Sequence, residues 1–459
     1  MKTGPSIADV QVPGVYEIRA GSGVYYGLEV ADHCDASTSN EARASATMRP
    51  FTLNAADVVV PANFAGYTIE NVGSGAGTSP HPVDLGVTTH IHRVLGQGTY
   101  WAEIEQVAGV YNFTKLIAAL TAGRARGCKT LWNIAYTPSV YSSDVNKHRS
   151  SGQGNSAGWA GAPADLAATM QANPANNSTA LKNFLSAAIA AGVFALVDYV
   201  VWWNEPGYRS YSATGAPFGN WFDTSDDVGL RDLTTWPQSS VSGNQNYTQF
   251  VLMQACAYTI IKAAYPAIVF IGCDLYGEQS SQGSGGKQKG ETCFVAWLAA
   301  GGATYCDAYG WHSYCDLYQL AGIDGVSLRL AQLLKSLDAA RATAGAPVKP
   351  WYCTEVGYNN MGFLSVPDQK RWAGLNLLIH ASLGWKSVVW YAWDSLNAAT
   401  AQMSWYLPAA TQGLPAGVQA VADETSLWAR RLAGSTIAAG AVMVGGRWCG
   451  RINGVPYVY

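Results

Sequence analysis

The chain has 459 residues, of which 49% are hydrophobic and 13% are charged, and its formal net charge is −3 at pH 7. Soluble domains usually carry about 25% charged residues, so this surface must be built largely from Ser, Thr, Asn, Gly and aromatic side chains. No basic run could follow a phosphate backbone, and no stretch approaches the roughly 18 consecutive apolar residues of a membrane-spanning helix. The composition excludes a nucleic-acid-binding surface and membrane insertion, and it predicts a globular protein.

Aromatic residues and cysteines add two expectations. The chain contains 17 Trp and 25 Tyr, more large amphipathic rings than core packing alone requires, so we expect some of them to bind a flat polar ligand. The nine Cys include no CxxC pair, which disfavours a zinc or redox site. A bridge between Cys306 and Cys315 is one interpretation, and buried free cysteines are the one we favour.

Beyond residue 60, short β-rich runs alternate with amphipathic helical stretches, which is the pattern of a parallel sheet wrapped by helices. Helical patterns lie between the strands, for example at residues 113–126, 180–191, 247–264, 327–342 and 367–383. Eight strands are predicted, at residues 64–70, 88–95, 129–138, 197–205, 267–275, 308–314, 350–355 and 387–393. Eight strand–helix units in order predict an α/β protein, a closed (β/α)8 TIM barrel over residues 62–434.

Long segments rich in Gly, Ser, Asn and Pro follow four of the predicted strands. Structureless segments of this length are unusual unless they serve function. The carboxyl ends of barrel strands are where such enzymes build their sites, so we expect these segments to wall a cleft. They are residues 141–163, 207–245, 277–290 and 396–417.

The barrel leaves a β-rich segment at residues 1–61 and a hairpin segment at residues 435–459. Strand patterns at 447–452 and 455–459 flank Asn453-Gly454, a strong hairpin signal. A second predicted hairpin has strand patterns at 15–20 and 24–30 around Gly21-Ser22-Gly23. Isolated hairpins are marginal in water, so we expect the terminal segments to form one small β-module or to pack on the barrel.

Two carboxylates end predicted strands on opposite sides of the barrel. Glu205 closes the fourth strand within Trp202-Trp203-Asn204-Glu205-Pro206-Gly207, and Glu355 closes the seventh within Tyr352-Cys353-Thr354-Glu355-Val356-Gly357. Glycosidic cleavage requires two facing carboxyl groups, one as proton donor and the other as nucleophile or base. The motifs therefore favour a glycoside hydrolase.

These residues resemble the retaining glycoside hydrolases of clan A. In that clan an Asn-Glu-Pro acid/base ends the fourth strand and a nucleophilic Glu ends the seventh. The stretch from Trp101 to Phe113 resembles the W-x-x-I-E-x-x-x-G-x-Y-x-F pattern of family 39 and its relatives. Further similar positions are Arg93 on the second strand, Tyr136-Thr137-Pro138 on the third, Trp311-His312-Ser313-Tyr314 on the sixth and Trp390-Tyr391-Ala392-Trp393 on the eighth.

The resemblance implies Glu205 and Glu355 as catalytic residues, with no metal and no cofactor. An unpaired guanidinium in a barrel mouth would be costly, so we expect Arg93 to pair with a catalytic carboxylate. His312 and Tyr314 share one strand face and are expected to point into the site. The predicted substrate-binding residues are Asn204, toward the sugar 2-hydroxyl, Trp393, as an aromatic platform, and Arg93, His312, Tyr314 and Tyr136.

Three alternatives stay open at this point. Exo-action, as in a β-xylosidase, is the alternative to the endo-action that the long polar segments favour. A non-catalytic carbohydrate-binding barrel is a second, although it gives no chemical reason to keep both Glu. The third is a metal-dependent barrel hydrolase built on His90, His92, His312 and Asp394, but residues 270–275 offer Cys273 and Asp274 where that class needs a His.

The expected partner is a carbohydrate substrate, and the sequence does not specify an oligomeric state. The amino terminus, Met1-Lys2-Thr3-Gly4-Pro5, lacks the apolar core of a secretory signal. Polysaccharides lie outside the cell, and the low charge content suits that setting. We therefore expect a secreted or periplasmic protein whose export signal precedes this sequence.

Overall fold

The structure is a computed structural model, and it describes the following residues of the chain. These are residues 51–69, 80–96, 98–144, 158–206, 221, 247–276, 290–314, 322–357, 365–394, 416–444 and 446–459, with the short strands Arg19–Ala20, Gly23–Val24, Arg209–Tyr211 and Pro217–Gly219. The four long polar segments lie largely outside these ranges, so the cleft that they were expected to wall stays a prediction.

Eight parallel strands close into a barrel, in which the last strand pairs with the first. The predicted (β/α)8 fold is confirmed, with strand ends that differ by a few residues from those predicted. The strands are β1 (Ala65–Ile69), β2 (Ile91–Val94), β3 (Lys129–Ile134), β4 (Tyr199–Trp202), β5 (Val269–Tyr276), β6 (Ala308–His312), β7 (Trp351–Val356) and β8 (Val388–Asp394).

Helices cover the outside of the barrel, and the five predicted helices are among them. They are α1 (Thr114–Ala125), α2 (Thr179–Ala190), α3 (Thr248–Ala264), α4 (Gly290–Ala299), α5 (Gly322–Thr343), α6 (Val366–Ser382) and α7 (Ala416–Leu432). Short helical turns lie at Pro82–Leu85, Trp101–Ile104, Pro174–Asn176, Val193–Leu196 and Gly302–Tyr305. Side-chain caps mark the first turns of α2 and α6. The Ser178 hydroxyl accepts from the Leu181 N–H, and the Ser365 hydroxyl accepts from the Asp368 N–H.

The hydrophobic core has two parts. The larger lies between the strands and the helices, and the smaller fills the lower interior of the barrel with side chains that include Ile91, Leu131, Val201, Ile271 and Val389. Inward and outward residues alternate along each strand, so the residues two positions further on face the upper interior. The upper interior therefore sits on an apolar floor.

The tryptophans bear on the expectation that some aromatic rings bind a flat polar ligand, which stays a prediction. Every Trp that the structure describes is buried. Trp101 and Trp132 belong to the layer between barrel and helices, where each contacts the ring of Phe184. The surplus of indole rings thus serves the core of a large barrel in the described part of the chain.

A small antiparallel sheet is built from both ends of the chain. The predicted hairpin at Asn453-Gly454 is confirmed, and both turn residues have positive φ, 51° and 78°, as a two-residue hairpin turn requires. The amino-terminal contribution comes from Phe51–Thr52 and Val58–Val59. Of the predicted hairpin at 15–30, the described part is Arg19–Ala20 paired with Gly23–Val24. The module's strands are Phe51–Thr52, Val58–Val59, Thr436–Ile437, Val442–Val444, Arg447–Ile452 and Val455–Val458.

Two further expectations are tested by the described residues. Cys128, Cys256, Cys306 and Cys353 are buried free thiols. A bridge from Cys306 to Cys315 is therefore wrong, and Cys315 itself lies outside the described residues. Among the described helices, none combines the length and apolar character that crossing a membrane demands.

Candidate active site

Strand alternation brings Arg93 into the upper barrel. Ile91 lies in the apolar floor, so Arg93, two residues further along β2, faces the interior above it. Its side chain has no solvent exposure. A guanidinium placed above an apolar floor needs carboxylate partners, because its hydration is lost.

Alternation fails on β5, and the failure places a carboxylate in the barrel. Ile271 belongs to the floor, so regular alternation would turn Cys273 inward. Instead the register with β6 shifts between Gly272 and Leu275, and Cys273 has a φ of 58°. The extra residue reverses the alternation, so Asp274 faces the interior, where it meets Arg93 and His312.

The end of β4 also leaves regular strand geometry. Trp203 and Glu205 both have positive φ, 67° and 47°, which is uncommon for residues with a side chain. The Glu205 N–H donates to the carbonyl of Asp274 at 2.9 Å, which ties this turn to β5. The turn leaves the Glu205 side chain 13% exposed, facing His312.

Glu205, His312 and Glu355 meet at the centre of the barrel mouth. One donor atom of each residue lies within 4.8 Å of the corresponding atoms of the other two. The two carboxyl groups predicted from the motifs of the fourth and seventh strands are therefore neighbours in space.

The carboxylate of Glu355 is held on both oxygens. Arg93 Nη1 donates to Oε2, and the Tyr314 hydroxyl donates to Oε1 at 2.9 Å. The expected pairing of Arg93 with a carboxylate is thus confirmed. Burial alone would lower the pKa of Arg93, but the charges of Glu355 and Asp274 raise it above its usual value. Burial raises the pKa of Tyr314, and the charge of Glu355 raises it further, so the hydroxyl keeps its proton.

Glu205 lies in a different environment. Its Oε1 is 2.8 Å from Nδ1 of His312, whose Nε2 is 2.7 Å from Oδ2 of Asp274. Burial raises the pKa of Glu205, the bond and charge of His312 lower it, and the charges of Glu355 and Asp274 raise it, for a net rise. Burial lowers the pKa of His312, but the charges of Asp274 and Glu355 outweigh it and raise the pKa to about 10.

Asn204 and Tyr136 lie beside this cluster. Asn204 Oδ1 accepts from Arg93 Nη2 at 3.2 Å, and its Nδ2 lies 3.5 Å from the Tyr136 hydroxyl. Tyr136 has a φ of 66° and packs edge-on against Trp203. Asn204 is buried, with 7% of its surface exposed.

Trp393 ends β8 and is fully buried. Its indole N–H donates to the carbonyl of Pro80 at 2.8 Å, and its ring meets Tyr67 edge-on with centroids 5.7 Å apart. The ring is packed among protein groups, and its role as a platform for sugar stays a prediction.

One histidine of the metal hypothesis, His92, points away from the site that holds His312. A Cβ added at Gly123 on α1 would approach Nδ1 of His92 to 2.6 Å, so this imidazole faces the helix layer, with the ring of His81 5.2 Å away. Among the described residues, Glu205, His312 and Glu355 are the one group of three possible metal ligands within 4.8 Å of one another. Their donor atoms already bind one another, Arg93 and Tyr314, which favours proton transfer over cation binding.

Two residues of this cluster were missed by the sequence analysis. Asp274 appeared there solely as an inadequate metal ligand, and Thr354 as a motif residue without a role. In the structure the Thr354 hydroxyl donates to Oδ1 of Asp274. Alternation would have turned Asp274 away from the interior, so no signal in the sequence could have found it.

Comparisons with known proteins agree with this geometry at the level of the fold. No family model and no curated protein matches the sequence. Among solved structures, a family 39 glycoside hydrolase from Bacteroides cellulosilyticus WH2 aligns at a TM-score of 0.52 and 15% identity, over 86% of this chain and 69% of that one. A glucosidase from Croceicoccus marinus (0.50, 12%, 87% and 74%) and a monomeric β-xylosidase from Caulobacter crescentus CB15 (0.50, 13%, 87% and 73%) align similarly.

The chain has the barrel fold of these glycoside hydrolases. The predicted resemblance is thus confirmed at the level of the fold, which a family 39 enzyme shares. At such low identity a shared barrel does not by itself carry an activity, since one fold hosts many functions. The activity must be argued from the side chains.

Proposed function

We propose that this protein is a retaining glycoside hydrolase that cleaves β-glycosidic bonds, with Glu355 as nucleophile and Glu205 as acid/base. One observation carries the proposal: oxygens of Glu205 and Glu355 lie within 4.8 Å of each other in unlike environments. Retaining enzymes have carboxyl groups about 5 to 5.5 Å apart, and inverting enzymes need about 6.5 to 9.5 Å to admit a water. The short separation supports retention.

The environments support the division of roles. Glu355 is bound by the Arg93 guanidinium and the Tyr314 hydroxyl, which hold its two oxygens in place, as a nucleophile requires. The pKa of Glu205 is raised, first of all by burial, which suits a group that must hold a proton until it is needed. Two carboxyl groups with unlike surroundings are the usual arrangement of acid and nucleophile.

In the proposed reaction, Glu355 attacks the anomeric carbon while Glu205 donates its proton to the leaving oxygen. The bond to the leaving group breaks as the bond to Glu355 forms. Glu205, now ionised, takes a proton from water, which attacks the anomeric carbon and releases Glu355. The amide of Asn204, beside Arg93 and Tyr136, is our candidate donor to the sugar 2-hydroxyl.

Kinetics on aryl glycosides test the roles. Glu355→Ala is expected to abolish turnover on every substrate. Glu205→Ala is expected to spare substrates with activated leaving groups, which need no proton, and to recover partly with azide. Equal loss on activated and unactivated substrates would contradict the assignment. Proton NMR of the first product gives the anomer, and inversion would contradict the double displacement.

We further propose endo-action on a polysaccharide outside the cell. The support is the length of the polar segments at residues 141–163, 207–245, 277–290 and 396–417, each of which follows a barrel strand. A panel of polysaccharides, with products sized by chromatography, identifies the sugar and the mode of action. A ladder of oligosaccharides supports a cleft, whereas monosaccharide alone would favour exo-action.

A non-catalytic carbohydrate-binding barrel remains the alternative from another class. A binding barrel has no chemical need for two adjacent carboxyl groups and the cations that hold them. Glycan binding without hydrolysis of any member of the panel would support that alternative.

A further inference from the structure

Asp274 is a buried carboxylate on which three other strands converge. It has no solvent exposure, and both of its oxygens are used. Oδ2 lies 2.7 Å from His312 Nε2 and 3.5 Å from Arg93 Nη2, while Oδ1 accepts from Thr354. Double displacement by two carboxyl groups assigns no role to a third, so this residue needs its own explanation.

The backbone of β5 is distorted in order to present this carboxylate. Cys273 adopts a φ of 58°, and the register shift beside it reverses the side-chain alternation. Such conformations persist where the surrounding structure holds them, and they cluster at functional sites. The positive φ of Cys273 and the hydrogen bonds that converge on the Asp274 carboxylate are two independent observations, and both concern Asp274.

The contacts of Asp274 determine where the protons of His312 lie. An ionised carboxylate only accepts hydrogen bonds, so Nε2 of His312 must carry a proton to bond with it. Nδ1 is then left facing Oε1 of Glu205 at 2.8 Å, and one proton lies between these two atoms. This is the proton that Glu205 would deliver in the proposed mechanism.

We propose that Asp274 is a positioning residue that fixes the Nε2 proton of His312 and keeps one proton shared between His312 and Glu205 for delivery to the leaving group. The inference rests on the proposed function. Loss of the shared proton would leave Glu205, Asp274 and Glu355 all ionised beside one guanidinium, a change from −1 to −2 in formal charge. Above the buried apolar floor of the barrel, such a step is disfavoured until high pH.

Other titratable groups lie on or near the strands that surround this cluster. Burial raises the pKa of Cys353 to about 12. It also raises the pKa values of Cys273 and Tyr314, so all three groups stay neutral near pH 8. Arg93 stays charged. The groups that face Asp274 and His312, or lie next to those that do, are Glu205, Glu355, Arg93, Tyr314, Cys273, Cys353, Tyr100 and Tyr391.

The pH profile of Asp274→Asn tests the proposal, because the substitution keeps the size of the side chain and removes its charge. For a phenyl glycoside, the apparent pKa of the alkaline limb of kcat/KM is expected to fall by about one unit or more. At a pH on that limb, the activity is then about tenfold lower. A dinitrophenyl glycoside needs no proton, so its alkaline limb should move far less. Asp307→Asn, which removes a carboxylate bound to Lys262 and Tyr258, is the matched control and should leave the limb unchanged.

A spectroscopic measurement tests the same link without catalysis. In the full chain with 15N-labelled histidine, the His312 signal is expected to titrate near pH 10 in the wild type and at least about one unit lower in Asp274→Asn. Thr354→Val removes a donor to Asp274 but keeps its charge, so a smaller shift of the His312 titration is expected.

A folded Asp274→Asn protein whose alkaline limb and His312 titration both match those of the wild type would overturn the proposal. If Glu205→Ala and Glu355→Ala keep full activity, the proposed function fails, and the titration still tests the link.

Discussion

The Tyr314 hydroxyl donates to Oε1 of Glu355 at 2.9 Å, while Arg93 binds the other oxygen of the same carboxylate. Tyr314 lies two residues beyond the end of β6, and Glu355 lies near the end of β7. Both partners are fixed by the barrel, so the carboxylate is oriented before any substrate arrives.

Tyr314→Phe removes one of these two bonds and leaves the ring in place. A hydrogen bond to a charged group contributes about 1.5–3 kcal/mol, so we expect kcat/KM to fall about 10- to 100-fold. Steady-state kinetics on an aryl glycoside measures the loss. Tyr352→Phe, whose ring lies in the apolar floor of the barrel, is the control. Equal effects of the two variants would mean that the loss is structural.

Arg93→Met tests the buried ion pair. Arg93 is fully buried and bonds Glu355, Asn204 and Asp274. Removal of one partner from a buried pair costs about 3–5 kcal/mol, because the remaining charge is left without compensation. We expect a lower urea midpoint and no activity. Arg124→Met, which removes a partly exposed partner of Asp198, should cost less than about 1 kcal/mol. A wild-type midpoint for Arg93→Met would contradict the ion-pair argument.

Gly123→Ala is expected to destabilise the protein, although Ala normally favours a helix by about 1 kcal/mol over Gly. The added Cβ would lie 2.6 Å from Nδ1 of the buried His92, so the ring or α1 must move. Thermal unfolding measures the melting temperatures of Gly123→Ala and Thr121→Ala. Thr121 is exposed on the same helix, so its variant reports helix propensity without the contact to His92. A higher melting temperature for Gly123→Ala would show that the contact is easily relieved.

Buried histidines, His92 and His81 among them, predict a loss of stability in acid. Burial lowers the pKa of His92 to about 3 and of His81 to about 4, from an ordinary value of 6.5. Below about pH 6.5 the unfolded chain binds these protons and the folded chain does not, so stability falls as the pH drops toward 4. Each group contributes a slope of up to about 1.4 kcal/mol per pH unit.

Urea unfolding between pH 7 and pH 4 measures this slope, and His92→Leu should make it shallower. The variant keeps an apolar side chain of similar size against Gly123 but cannot bind a proton. An unchanged slope in His92→Leu would mean that other groups carry the acid sensitivity.

The sequence by itself determined the barrel and the two facing carboxyl groups. Strand and helix patterns depend on the local period of apolar residues, so all eight strands were located within a few residues. Glu205 and Glu355 could be paired because strands four and seven face each other in any closed eight-stranded barrel. The pairing of Arg93 followed from the cost of an isolated buried cation.

The tertiary structure alone decided the position of Asp274, which depends on a break in the inward–outward alternation of side chains along β5. Asp274 faces the interior because Cys273 takes a positive φ, and a two-residue period read from the sequence turns that side chain outward. Likewise the surplus of Trp belonged to the core in the described residues, because composition counts rings but does not say which face of an element each occupies. Backbone irregularities and the directions of side chains arise from contacts between strands that are distant in the chain, and no local pattern encodes them.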